Sequence, residues 1–224
     1  MLLGDLSERV VTPRRLTGIA MQVDATMRRL RLLITILVIL LSSWALEARA
    51  QDAPSSSEYL IKAGFIYNFA NLVQWPQNAF TQADSPIVIG ILGEDHFGVT
   101  LDRVLQGKKV NGRPFVVRRF KSVADLAQSV IDLKDCQILF VSSSETAHVT
   151  EAIQTLRGIS VLTIGEIPGF AKRGGIINLV LEDNKVRFEV NVEAAKQADL
   201  NISSRLLALA KIVQHPVLDG RKTE

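Results

Sequence analysis

Pro86-Ile87-Val88-Ile89-Gly90-Ile91-Leu92 is an unbroken apolar run of strand length. A strand with one wet face alternates apolar and polar residues, whereas a strand covered on both faces does not. The run therefore reads as a strand with helices above and below it. Downstream, Gly93 to Gly98 is a turn and Phe97 to Gln106 a helix. Gly107 to Pro114 is a basic, glycine-containing connection, and Phe115 to Phe120 is a second strand whose weak alternation suggests a sheet edge. Val123 to Ile131 is helical and Gln137 to Val141 is a third strand. Ser142-Ser143-Ser144-Glu145 caps a helix reaching about Leu156, and Ile159 to Ile164 is a fourth strand. Strands alternating with helices at this spacing predict βαβ units.

Upstream, Ser55, Ser56 and Ser57 offer helix caps, with Glu58 in the first turn. The helix runs to about Val73, with Leu60, Ile61, Phe65, Ile66, Phe69, Leu72 and Val73 as its apolar set. Trp75-Pro76 ends it, because the residue before proline avoids the helical region. After Gly174-Gly175 the pattern changes. Ile176 to Leu181 and Val186 to Val192 form an antiparallel hairpin with Asp183-Asn184 at its tip. Val186, Phe188, Val190 and Val192 point one way; Arg187, Glu189 and Asn191 point the other. Ala194 to Ala198 and Ser203 to Val213 are closing helices, the last with Leu206, Leu207, Leu209, Ala210 and Val213 as its stripe. The expected fold is a single α/β domain over residues 58–214. It has a largely parallel twisted sheet flanked by helices and a C-terminal antiparallel hairpin.

The front of the chain reads as an export leader. Arg28-Arg29-Leu30-Arg31 precedes the apolar run Leu32 to Leu41, and Ala48-Arg49-Ala50 is a small-x-small cleavage pattern. The uncharged stretch Leu32 to Leu46 is shorter than the about 20 residues a membrane span needs. Residues 27–50 are thus expected to be a cleaved signal peptide, which predicts a periplasmic protein. Residues 1–26 are read as an extension ahead of a start at Met27 (or Met21), and residues 51–57 and 215–224 as flexible tails. Seven of the 26 basic residues and four of the 23 acidic ones lie in residues 1–50, leaving 19 of each beyond. The mature part is formally neutral, so nothing steers it toward nucleic acid. The one cysteine, Cys136, cannot form an intramolecular disulfide, and it reads as a buried thiol beside Ile138 to Val141.

Catalytic patterns are weak. Gly93-Glu94-Asp95-His96-Phe97-Gly98 follows the first parallel strand, where open α/β sheets bind ligands, but lacks the Lys-Ser/Thr of a phosphate loop. His96, His148 and His215 are scattered without metal-ligand spacing, so no metal or cofactor is expected. Ser142 to Ser144 lack the glycines of a nucleophile elbow. The chain is therefore not expected to be an enzyme. Apolar residues on loops suggest protein contact. Trp75, Phe170 and Ile176 are the expected anchors, with Glu166 and Arg173 on the rim. The alternative is a small-molecule binder using a groove near Arg187 and Glu189.

Several segments resemble the YfiR family: Tyr59 to Ala70 followed by Trp75-Pro76, Ile89 to Gly98, Gly174 to Ile177, Arg187 to Asn191, and Leu200 to Ala210. The resemblance spans Tyr59 to Val213. It implies a small periplasmic α/β protein, often dimeric, that represses an inner-membrane diguanylate cyclase by binding its periplasmic region. It also implies an outer-membrane lipoprotein that relieves the repression. The family's studied repressor uses disulfides, which Cys136 alone cannot supply.

Overall fold

A computed structural model describes residues 56–122 and 133–214. Helix α1 (Ser56–Leu72) leads into the short strand β1 (Val73–Gln74). Then come β2 (Ile87–Leu92), α2 (Val99–Leu105), β3 (Lys109–Val110), β4 (Arg113–Phe120) and β5 (Ile138–Val141). The chain continues through α3 (Val149–Thr155), β6 (Leu162–Gly165), β7 (Ile177–Glu182), β8 (Lys185–Val190) and α4 (Val192–Gln197). It closes with β9 (Asn201–Ile202), α5 (Ser204–Leu207) and β10 (Lys211–Ile212).

The main sheet has eight strands in the order β10-β8-β7-β6-β5-β2-β4-β3. Five neighbour pairs are parallel; only β7–β8 and β3–β4 are antiparallel. All six residues of β2 are buried, as an unbroken apolar run requires of a two-faced central strand. Ile87, Ile89 and Ile91 belong to a core shared with α1, α2 and α4, while Leu92 joins Leu139, Val141 and α3 on the opposite face. The fold class is thus the one expected. At the hairpin tip, Asp183 and Asn184 have φ of 50° and 58°, the paired left-handed conformations of a twist-matched two-residue turn.

The observed elements differ from the expected ones in several places. The connection Gly107 to Pro114 holds β3 and the start of β4, and β8 ends at Val190, so Val192 opens α4 instead of closing the hairpin. The serine cluster forms one 3-10 turn (Ser143–Glu145), and α3 starts only at Val149. The fourth strand begins at Leu162, not Ile159. The helix expected over Ser203 to Val213 is a single turn, α5. After it the chain pairs with β8: Val213 N–H donates to the Val190 carbonyl at 2.9 Å. On α1 the buried face is Tyr59, Lys62, Ala63, Ile66, Phe69 and Ala70, and Leu60 and Ile61 point outward. On the hairpin's polar face only Arg187 is exposed; Glu189 and Asn191 are buried. The helix expected over Val123 to Ile131, the leader and the C-terminal tail lie outside the described residues.

Candidate functional site at the strand ends beneath helix α1

The chain leaves β2 toward β4 on one side, and β5 lies on the other side. The carboxyl ends of β2 and β5 therefore form a switch point, the usual ligand crevice of an open α/β sheet. Here the first two turns of α1 fill it. The Tyr59 ring packs edge-on against Phe97 with centroids 5.0 Å apart, and Phe97 packs against Phe140 at 4.8 Å. Glu166, just past β6, sits beneath Tyr59 and Lys62. The Tyr59 hydroxyl lies 2.9 Å from each Glu166 carboxylate oxygen, and Lys62 Nζ is 2.6 Å from Oε2. The Ser143 amide donates to Oε1 at 3.3 Å. Lys62 is also 2.5 Å from Glu58, one helical turn back. Burial first, then the Glu166 charge, pushes the Tyr59 hydroxyl well above its ordinary pKa, so it stays a proton donor.

Backbone geometry brings the surrounding loops close. Gly93 has φ of +91°, and a Cβ there would collide with Ser144 and Glu145. Beside it, the Glu94 amide donates to Ser144 Oγ at 2.9 Å. The two carboxylates of this loop do not converge on a common point. Asp95 caps the turn, accepting from the Phe97 and Gly98 amides, and pairs with Arg119 at 2.6 Å. The described residues hold no cluster of three or more His, Cys, Asp or Glu able to hold a metal ion.

Filling the crevice turns the chemistry of α1 inside out. Its charged side chains, Glu58 and Lys62, face the strand ends, while Leu60 and Ile61 are 53% and 50% exposed. Gly64 lies one turn on, with open space where a Cβ would be. The result is an uncharged, branched-aliphatic surface on the outer side of the helix.

The residues chosen from sequence are scattered. Phe170 and Ile176 are not exposed anchors. Phe170 is fully buried, its ring lying where Cβ atoms on Gly165 and Gly175 would be, and Ile176 is part of the core. Glu166 is not on a rim; it is the buried acceptor just described. Arg173 is exposed on a cavity of about 220 Å³ between α3 and α4. Trp75 is half-buried, and its Nε1 donates to the Gln137 carbonyl at 3.2 Å. Glu189 accepts from Asn178 at 3.2 Å and pairs with Lys211 at 3.4 Å, so it does not open a groove with Arg187. Tyr59, Lys62 and Ser143 were missed as a set. The i, i+3 and i, i+4 spacing of Glu58, Tyr59 and Lys62 on one helical face was the available signal.

A family model described as YfiR/HmsC-like matches residues 59–211. The chain belongs to the YfiR/HmsC-like family. Members are periplasmic regulators of cyclic di-GMP signalling that work with a membrane signalling partner. The matched segment starts at Tyr59 and holds Lys62 and Glu166. No curated protein matches the chain. Among solved structures, a conserved domain protein from Vibrio cholerae O1 biovar El Tor is similar, with 13% identity and a TM-score of 0.45. That match covers 69% of this chain and 59% of the other. No described helix is long and apolar enough to cross a membrane.

Proposed function

We propose that this protein inhibits an inner-membrane diguanylate cyclase by contact with its periplasmic region, lowering cyclic di-GMP. On this reading it is a binding protein and not an enzyme. It is delivered by its leader and acts as a homodimer, and an outer-membrane lipoprotein relieves it. Family membership supports the pathway. The observation that carries contact as the means is the outer face of α1, where Leu60 and Ile61 are half exposed while both charged side chains of the helix are neutralised inward. Apolar anchors ringed by polar surface supply most of the energy in protein interfaces. Inhibition then requires only that the bound partner be held in its inactive arrangement. Trp75 and Arg173 are secondary contact candidates.

A tagged protein should retain the cyclase from detergent-solubilised membranes. Leu60→Asp with Ile61→Asp should lose it while keeping an unchanged melting temperature. Equal capture by the double variant would refute α1 as the contact.

A further inference from the structure

Seven residues between Arg103 and Lys121 are basic and none is acidic, although the chain beyond residue 50 is neutral as a whole. This charge lies along one margin of the sheet. Strand β4 pairs with β2 over Phe115 to Phe120, but on its outer side β3 reaches only Arg113 and Pro114. Among the described residues, Phe115 to Phe120 therefore form an open edge about 20 Å long. Val116 is 41% exposed there, and Arg118 and Lys121 are exposed.

The cations divide into two groups. Arg119 is held by Asp95 and Asp102, Arg113 donates to the Gln82 and Ser85 carbonyls over the Phe80 ring, and Lys108 lies over the Tyr67 ring. Arg103, Lys109, Arg118 and Lys121 have no ion-pair or hydrogen-bond partner for their side chains among the described residues. Arg103 and Lys109 border a cavity of about 390 Å³ between α2 and β3–β4, whose apolar lining includes Val99, Leu105, Phe115 and Val117. Among the described residues, the margin thus combines unpaired backbone, unneutralised cations and apolar recesses.

We propose that the open edge of β4 docks an extended segment of another protein in which acidic and apolar residues alternate, adding it to the sheet beside Phe115–Phe120. Main-chain hydrogen bonds supply affinity in strand addition, and alternate side chains supply selectivity. The same cations oppose pairing with a second copy of this edge, because Arg118 and Lys121 would then face like charges. An acidic strand satisfies both the backbone and the charge. This goes beyond the α1 contact, and its test needs no cyclase.

The test uses the mature chain and a fluorescent octapeptide of alternating glutamate and valine, read by anisotropy. Saturable binding is expected, with amides of Val116–Phe120 gaining protection from hydrogen exchange. Arg118→Glu with Lys121→Glu should weaken it by about tenfold or more. N-methylation of alternate peptide amides should abolish it. No binding to the unmodified chain, equal binding of the N-methylated peptide, or equal binding of a lysine–valine octapeptide would overturn the proposal. So would binding of anionic phospholipid vesicles without binding of the peptide.

Discussion

The Tyr59 hydroxyl stands 2.9 Å from both oxygens of the Glu166 carboxylate, across 107 positions of sequence. This contact ties the start of α1 to the end of β6. Because Tyr59 and Lys62 meet Glu166 from the same side of the helix, Leu60 and Ile61 have to face away from it. The exposed patch is therefore a consequence of the buried polar network.

Replacing Glu166 by Ala should cost about 1–3 kcal/mol, because the Tyr59 hydroxyl and the Ser143 amide lose a buried acceptor. Lys62 keeps Glu58 and stays compensated. Denaturant midpoints of the two proteins measure this; an unchanged midpoint would show that water replaces the carboxylate.

Alkali should destabilise the protein through Tyr59. Its pKa is raised on folding, so the folded state holds the proton more tightly than the unfolded state. That contribution is complete below the ordinary tyrosine value of 10 and falls as pH rises above it. Tyr59→Phe should flatten the alkaline limb of stability against pH. Tyrosinate absorbance should show no contribution from Tyr59 until the fold is lost.

Gly165→Ala or Gly175→Ala should destabilise by about 1–3 kcal/mol, because each new methyl overlaps the Phe170 ring. Adding Phe170→Leu should recover part of the loss. Additive losses in thermal melts would mean that the methyls strike something else.

The turn at Asp183-Asn184 is strained for a branched residue. Asn184→Val should cost about 1–2 kcal/mol, whereas Asn184→Gly should be neutral or stabilising. Chemical denaturation of the two variants checks both signs.

What the sequence revealed depended on where the energy came from. β2 and the hairpin were legible because burial on both faces and a two-residue tip are local signals. Leu206, Leu209 and Val213 kept a helical spacing, yet the free edge of β8 took Lys211 and Ile212 as a strand, and tertiary pairing overrode the local preference. On α1, apolar residues occur nearly all round the helix, so periodicity did not say which face turns inward. Tyr59 and Lys62 decide that, through a carboxylate more than 100 residues away that no local pattern contains. A loop position leaves Phe170 open to either exposure or burial, and the choice is made by Gly165 and Gly175, which leave the space its ring fills.

The most direct measurement is cellular cyclic di-GMP in a strain lacking this gene, complemented either with the natural protein or with Leu60→Asp/Ile61→Asp at equal periplasmic abundance. Deletion should raise the nucleotide, the natural protein should restore it, and the double variant should not. Restoration by the double variant, or no rise on deletion while the cyclase is present, would contradict inhibition through this face of α1.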